Sequence, residues 1–154
     1  DVIEAVRFLD PAGDEHIADN DEMEFGYRTT ALLNSGCIVL GATISLKNGN
    51  KDDIKSKMSE LSKRRRDKQP LEFPSAGSTF KRPEGNFAGT LIEQCGLKGY
   101  RIGGAQVSEK HAGFVINKDK ATATDIITLI KDVQRIVFEK FGVMLETEVK
   151  IIGD

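Results

Sequence analysis

The segment that most constrains the fold is a run of apolar residues recurring at helical spacing between Asp125 and Phe141. Thr124 precedes the run as a candidate N-cap, and the carboxylate of Asp125 suits the positive end of a helix dipole. Gly142 follows as a candidate C-terminal cap. Such an amphipathic helix must bury one face against another element. The side chains predicted to be buried are Ile126, Ile127, Ile130, Val133, Val137 and Phe141.

Strand-like and helix-like runs both occur along the rest of the chain, and we expect an α+β fold in two parts. The apolar centre of the run Ser35 to Lys47 indicates a strand buried on both faces. Composition changes from a charged helix to a Gly/Pro-rich segment near Pro70 to Ser75, where we place a boundary. Strands are predicted at Val2 to Leu9, Ser35 to Lys47, Tyr100 to Val107, Gly113 to Asn117 and Val143 to Ile152, and further helices at Lys51 to Arg66 and Gly89 to Gln94.

Composition excludes several classes of protein. The 154 residues carry a net charge of −2, so no global field would attract nucleic acid or anionic lipid. No apolar run approaches the roughly 20 residues of a membrane-spanning helix. Cys37 and Cys95 are expected to be buried residues, and His16 and His111 are far apart, so neither a disulfide scaffold nor a metal site is expected. We expect a cytoplasmic protein, and the strand-like start at Asp1 indicates part of a longer chain.

A Gly/Ser-rich segment from Pro74 to Pro83 is the first candidate for chemistry. Small residues at Ser75 to Ser78 let a ligand approach the backbone, and two cations, Lys81 and Arg82, follow. This pattern suits a phosphorylated or carboxylated ligand. A surface turn followed by solvated cations accounts for the same residues.

Three shorter patterns are weaker candidates. Tyr27-Arg28 could bind a carboxylate through the guanidinium, or Arg28 could form a surface ion pair with a neighbouring glutamate. Glu146 and Glu148 would share one face of a strand, where one is neutral or paired with an arginine, or both are solvated. The run from Lys63 to Arg66 is interpreted as a solvated helix end, because the chain has no Trp and few aromatic residues for stacking on nucleic-acid bases.

Several of these segments, taken together, resemble the MurB reductases in order and spacing. Tyr27-Arg28 matches the family's upstream pair, and the Gly77 to Pro83 block is similar to that of the shorter subtype. Thr147 stands where the family usually has Pro, and Thr30 where Ser is usual. The remaining matching segments are Leu91 to Gly99, Ile102 to Ser108, Lys140 to Val143 and Leu145 to Val149.

The resemblance implies a domain order and a missing part. Residues 1–73 would be the C-terminal half of a flavin-binding α+β domain, and residues 74–142 a substrate-binding domain with a mainly antiparallel sheet. Residues 143–154 would form a final strand returning towards the flavin domain. The family's N-terminal FAD-binding portion, with its Gly-rich pyrophosphate loop, has no counterpart in the sequence.

The resemblance also implies a reaction: reduction of UDP-N-acetylglucosamine enolpyruvate to UDP-N-acetylmuramate with NADPH and FAD, in peptidoglycan precursor synthesis. Arg28 and Glu148 match the residues that stabilise the enolate, and Ser78 matches the proton donor. Tyr27, Arg82, Lys98 and His111 match residues that contact the UDP-sugar. The alternative is a non-catalytic UDP-sugar-binding fragment without flavin, and we expect the fragment alone to be inactive. The resemblance implies no metal, nucleic-acid or membrane partner.

Overall fold

The structure is a computed structural model that describes residues 2–153. It contains antiparallel strands and helices, which confirms the predicted α+β class. The chain forms two compact units, one ending at Ile54 and one beginning at Lys55. In chain order the elements are β1 (Ile3–Leu9), β2 (Glu15–Asp19), β3 (Ile38–Ile44), α1 (Lys51–Lys68), α2 (Ala88–Gln94), β4 (Arg101–Ile102), β5 (Ala105–Val107), β6 (Val115–Asn117) and α3 (Ala123–Phe141).

The first unit is a three-stranded antiparallel sheet in the order β2-β1-β3. Asp10 closes the β1–β2 turn, because its Oδ1 accepts the amides of Ala12 and Asp14 at 2.9 Å. The predicted burial of β3 on both faces is wrong: Ile38 is 63% exposed and Val39 56%. An apolar run indicates that a strand can be buried, and within this unit no described element packs over these side chains. The strand β2 lies in a polar stretch that does not predict it.

Helix α1 is confirmed and is two residues longer than predicted. Asn50 caps its start, since Oδ1 accepts the amides of Asp52 and Asp53 at 2.8 and 3.2 Å. Every α1 side chain is exposed, including the apolar Ile54, Met58 and Leu61. The basic run Lys63 to Arg66 lies in the last turns, where positive charge complements the helix dipole.

The second unit packs α2 and α3 against a three-stranded antiparallel sheet in the order β4-β5-β6. The predicted strand Tyr100 to Val107 is instead a hairpin that turns at Gly103 and Gly104. A Cβ on Gly104 would overlap the backbone of Asp119 and Ala121, so this close approach requires glycine. The buried cluster includes Ile92, Val107, Leu129, Val133, Val137 and Leu145.

Helix α3 confirms the strongest prediction and corrects its start. Thr122, not Thr124, is the N-cap: its Oγ1 accepts the Asp125 amide at 3.1 Å, and Asp125 Oδ2 accepts the Thr122 amide at 2.9 Å. Gly142 ends the helix in the left-handed region at φ 67°. The predicted stripe missed Leu129, which is fully buried, and wrongly included Phe141, which is 36% exposed. Burying one such aliphatic side chain stabilises the fold by about 1.5–3 kcal/mol.

The predicted strand from Val143 to Ile152 is wrong. A single bridge joins Thr147 to Phe80, with hydrogen bonds from the Lys81 amide to the Glu146 carbonyl and from the Glu148 amide to the Thr79 carbonyl. The C-terminal segment pairs with the chain near Phe80 through these few residues only, so no regular strand ladder forms. Leu145 anchors it: the side chain is fully buried and its carbonyl accepts Gln134 Nε2 at 2.7 Å.

The cysteines, the membrane-spanning segments and the domain boundaries were also predicted from the sequence. Cys37 and Cys95 are unpaired, but they are half-buried rather than buried. Burial raises the pKa of the Cys95 thiol above its ordinary value. Over residues 2–153, no helix is both long and apolar enough to cross a membrane. The predicted domain boundaries at residues 73 and 142 stay a prediction.

Candidate functional site

Thr79 holds three segments of the second unit together. It is 2% exposed, its amide donates to the Gly113 carbonyl at 2.8 Å, and its Oγ1 accepts the Val115 amide at 3.0 Å. Its carbonyl accepts the Glu148 amide at 2.8 Å. Ser78, the residue before Thr79, is exposed at the surface.

The exposed hydroxyl of Ser78 lines a groove of about 430 Å³. Gly77 precedes it with φ 84°, a left-handed conformation that favours glycine, so the Gly-Ser pair shapes this wall. The groove has one cation, two serine hydroxyls and two aromatic rings, and no carboxylate lines it. Such a lining suits an anionic ligand that is partly apolar. Its residues are Arg65, Gln69, Leu71, Phe73, Pro74, Ser75, Gly77, Ser78 and Phe114.

The two glutamates of the C-terminal segment have different surroundings. Glu146 is exposed, and its carboxylate forms an ion pair with Lys81 at 3.0 Å. Glu148 is partly buried, with its Oε2 atom shielded from solvent. The backbone hydrogen bond to Thr79 places Glu148 beside the segment that carries Ser78. The structure therefore brings Ser78 and Glu148, two of the predicted catalytic residues, to one pair of neighbouring segments.

Arg82 and His111 flank the start of α2. The Arg82 guanidinium lies 4.0 Å from the centroid of the Phe87 ring, and Phe87 is the N-cap residue of this helix. His111 packs edge-on against Phe114 with ring centroids 5.0 Å apart, and a Cβ on Gly89 would contact its ring. Both side chains are thus held by aromatic contacts near the same helix end.

The His111 ring has a defined orientation. The Gly113 amide donates to Nδ1 at 3.1 Å, so Nδ1 is an acceptor and the proton of the neutral ring is on Nε2. A Cβ on Gly113 would lie 3.2 Å from Nδ1, which is a tight contact. The site therefore offers a ligand an N–H donor from the far side of the ring.

Lys98 is separated from Arg82 and His111. It follows the C-terminal end of α2, a helix about 10 Å long, and its ammonium lies 2.6 Å from the Glu93 carboxylate. Of the residues predicted to contact the UDP-sugar in this unit, Arg82 and His111 therefore lie near the start of α2, and Lys98 lies beyond its end.

Tyr27 and Arg28 lie at the tip of a tight turn in the first unit. The Gly26 amide donates to the Thr29 carbonyl at 3.0 Å, and Arg28 adopts φ 56°. A non-glycine residue in the left-handed region costs about 1–2 kcal/mol, and such outliers concentrate at functional sites. The Arg28 guanidinium lies 5.6 Å from the Tyr27 ring centroid. Convergence of this pair with Ser78 and Glu148 stays a prediction.

A smaller polar recess lies beside the groove and shares Phe73 with it. The Lys118 ammonium lies 4.0 Å from the Phe73 ring centroid, and Lys110 approaches the Glu72 carboxylate at 3.5 Å. A hydrogen bond from its own amide, and then the charge of Lys110, hold the pKa of Glu72 below its ordinary value. Two of the charges that line the recess, Lys110 and Glu72, therefore already pair with each other.

Residues 2–153 contain no metal-binding cluster, and neither of the two long helices presents a start suited to the pyrophosphate of FAD. No group of three or more His, Cys, Asp or Glu side chains in this range could hold a metal ion. The first turns of α1 and α3 carry Asp52, Asp53 and Asp125, and their free amides are occupied by Asn50 and Thr122. Carboxylates in these positions repel a phosphate, so neither helix start fits a pyrophosphate.

Two residues of the site were missed by the sequence reasoning. Thr79 was not singled out, and its burial depends on hydrogen bonds to Gly113 and Val115, which are distant in sequence. Arg65 was assigned to a solvated basic run, and it lines the same groove as Ser78. Nothing in the composition of that run distinguishes Arg65 from its neighbours.

Comparison with known proteins gives one consistent family. Residues 69–152 match the family model for the C-terminal domain of UDP-N-acetylenolpyruvoylglucosamine reductase, which is more than half of the chain. Over all 154 residues the chain is 56% identical to the UDP-N-acetylenolpyruvoylglucosamine reductase of Caldanaerobacter subterraneus subsp. tengcongensis. It is 54% identical to the enzyme of that name from Lactiplantibacillus plantarum, over the same length.

The fold comparison agrees with the sequence comparison. The crystal structure of UDP-N-acetylenolpyruvylglucosamine reductase (MurB) from Thermus caldophilus matches with a TM-score of 0.82 and 36% identity. The match covers 97% of this chain and 53% of that protein. The chain covers 51% of both curated relatives, so it spans about half their length.

Proposed function

Since this chain belongs to the UDP-N-acetylenolpyruvoylglucosamine reductase family, we propose that it supplies the substrate-binding part and three catalytic side chains of such a reductase. The proposed reaction reduces UDP-N-acetylglucosamine enolpyruvate to UDP-N-acetylmuramate, with FAD as cofactor and NADPH as reductant, in peptidoglycan precursor synthesis. The observation that carries the proposal is the shared pairing through Thr79, which brings Ser78 and Glu148 to neighbouring segments.

The chemistry requires these residue types. Reduced flavin, when bound, supplies the hydride that adds to the β-carbon of the enol ether. Negative charge then develops on the α-carbon and on its carboxylate, where a fixed cation and an acid stabilise it. Arg28 and Glu148 are proposed for these two roles.

Ser78 is proposed to donate the proton that completes the reduction at the α-carbon. A serine hydroxyl is a weak acid, but an enolate is a strong enough base at carbon to accept a proton from a well-placed donor. The exposed position of Ser78 in the groove, fixed by the buried Thr79 beside it, supports this role.

The UDP-sugar is proposed to contact Tyr27, Arg82, Lys98 and His111. The stacked Arg82 guanidinium and the Nε2–H of His111 are both donors suited to phosphate oxygens, and they flank one helix end. Lys98 is the weakest member, because its ammonium already pairs with Glu93. Carboxylates occupy the first turns of α1 and α3, so the proposal assigns the FAD pyrophosphate to the other half of the reductase.

A chimera tests the proposal. The N-terminal half of the Caldanaerobacter reductase, joined before Asp1, should restore a full-length protein because the two chains are 56% identical over the shared half. The expected result is a flavin-loaded protein that oxidises NADPH only when the enolpyruvyl substrate is present. A chimera that binds FAD stoichiometrically and folds, yet shows no substrate-dependent NADPH oxidation, would contradict the proposal.

A second candidate is a UDP-sugar-binding chain without flavin. It is favoured by the carboxylates at the first turns of α1 and α3, which disfavour a pyrophosphate at the starts of these two long helices. The absorption spectrum of the purified 154-residue chain tests it. Little or no flavin absorption is expected, and a stoichiometric flavin spectrum would exclude this candidate.

A further inference from the structure

One cation of the basic run on α1 differs from its neighbours in position. Arg65 lines the 430 Å³ groove together with Ser75, Gly77 and Ser78, although it is on a different element. Its Nε donates to Gln69 Oε1 at 3.1 Å, which fixes the plane of the guanidinium. The terminal N–H groups of Arg65 make no hydrogen bond within residues 2–153, and Gln69 lines the same groove.

The charge of Arg65 has no local counterpart. Within the described part of the chain, no carboxylate lies within 4.0 Å of its guanidinium, whereas Arg64 approaches Glu60 at 3.8 Å. The groove itself contains no acidic residue. A guanidinium that lines a groove with two serines, without a neutralising carboxylate, suits an oxyanion bound through charge-assisted hydrogen bonds.

We propose that Arg65 is a further substrate-binding residue, which holds an oxyanion of the substrate in the groove beside Ser78. This inference rests on the proposed function, because it takes the ligand of the groove to be a UDP-sugar. The substrate has two kinds of oxyanion, its diphosphate and its enolpyruvyl carboxylate. In either case Arg65 would hold the substrate next to the proposed proton donor.

Amide spectra of the ¹⁵N-labelled 154-residue chain test the proposal, because they detect weak binding. UDP-N-acetylglucosamine has the diphosphate alone, and UDP-N-acetylmuramate also has a carboxylate, so titration with each separates the two oxyanions. The variant is Arg65→Met. The matched control is Arg64→Met, which removes the adjacent charge of the same run from a side chain that pairs with Glu60.

We expect Arg65→Met to weaken binding by about tenfold or more, as read from the shifts of Gly77 and Ser78, because a charged hydrogen bond contributes about 1.5–3 kcal/mol. Arg64→Met should change affinity less than about twofold, since exposed pairs contribute little. If Arg65→Met loses affinity for both ligands, Arg65 binds the diphosphate. If it loses affinity for UDP-N-acetylmuramate alone, Arg65 binds the carboxylate. Arg65→Lys should recover part of the affinity, since charge remains but the fork is lost.

Three results would overturn the proposal: unchanged affinity in Arg65→Met, equal losses in both variants, or wild-type spectra without shifts at Gly77 and Ser78. If the affinity read from the shifts of Arg82 and His111 is unchanged in Arg65→Met, Arg65 does not bind the substrate, and the proposed function stays intact. If neither ligand shifts Ser78, Arg82 or His111 in the wild type, the proposed UDP-sugar site in this chain fails as well.

Discussion

The carbonyl of Thr79 accepts the amide of Glu148 at 2.8 Å, and this hydrogen bond joins the Gly/Ser-rich segment to the C-terminal segment. Ser78 and Glu148 therefore each depend on the placement of the other's segment. The Thr79 side chain adds a second restraint, because its buried hydroxyl accepts the Val115 amide from β6. A change that loosens either segment should affect both proposed catalytic residues.

Ser78→Ala should separate the two half-reactions in the flavin-loaded chimera. Flavin reduction by NADPH does not need the hydroxyl and should keep its rate. Reoxidation by the enolpyruvyl substrate should slow by roughly 10²–10⁴-fold, the contribution of a positioned acid. Ser78→Cys should restore part of the rate, since a thiol also donates a proton. Stopped-flow absorbance of the flavin measures each half-reaction.

The control for this prediction is Ser75→Ala, which removes a hydroxyl from the same groove. It should leave both half-reactions close to the wild-type rates. Equal slowing of both halves by Ser78→Ala would indicate a structural role for the hydroxyl. Unchanged reoxidation would remove Ser78 from the proton transfer.

Leu145→Ala should destabilise the protein by about 2–5 kcal/mol, because it opens a cavity at a fully buried position. Met144→Ala, one residue earlier and 59% exposed, is the control and should change stability little. Urea unfolding followed by circular dichroism measures both. Similar losses in the two variants would mean that Leu145 does not anchor the segment leading to Glu148.

Asp125 should contribute stability that depends on pH. Hydrogen bonds from the Thr122 and Gly104 amides hold the pKa of its carboxyl below the ordinary value of 3.8. A carboxyl whose pKa is lower in the folded state than in the unfolded state stabilises the protein above its unfolded-state pKa. This stabilisation is lost as pH falls through the folded-state pKa. The gap in unfolding midpoint between wild type and Asp125→Asn should therefore narrow as pH falls from about 6 to about 3.

The control for Asp125 is Asp119→Asn, a nearby exposed aspartate whose side chain makes no hydrogen bond within residues 2–153. The difference in unfolding midpoint between Asp119→Asn and wild type should stay small across the same pH range. A gap for Asp125→Asn that is constant with pH would show that the carboxylate charge contributes nothing to the cap.

His111 should show a single neutral tautomer in ¹⁵N spectra of the ring, with the proton on Nε2. The reason is the hydrogen bond from the Gly113 amide to Nδ1 at 3.1 Å. His16, which is exposed at the surface and contacts Asp10 through Nε2 at 3.1 Å, serves as an internal comparison. A ring proton on Nδ1 of His111 would contradict the orientation and remove the Nε2–H donor proposed for phosphate.

The helices were predictable because their signals are local. The apolar repeat of α3 and the αL position of Gly142 lie within the element itself. The helix start was misplaced by two residues, because Thr122 and Thr124 are both acceptable caps. The reciprocal bonds that select Thr122 involve Asp125, where a capping box more often has Glu or Gln.

Non-local relationships were not predictable from the residues alone. The apolar residues of β3 are exposed in their unit, and alternation near Glu146 suggested a strand where only one bridge forms. Both outcomes depend on which segments lie alongside, and a periodicity does not specify neighbours. The approach of Glu148 to Ser78, and of Arg65 to the groove, likewise follows from tertiary pairing.

The close approach at Gly104 has a consequence for the order of folding. The Gly104 amide donates to the Asp125 carboxylate at 3.3 Å, and its carbonyl accepts the amides of Lys118 and Asp119. These contacts close a loop of modest length, so their entropic cost is smaller than that of the distant Thr79–Glu148 pairing. The β4–β5 hairpin and the start of α3 should form in the folding transition state, with φ-values near Gly104 above those near Glu148. The site would then be completed last, after the scaffold that supports it.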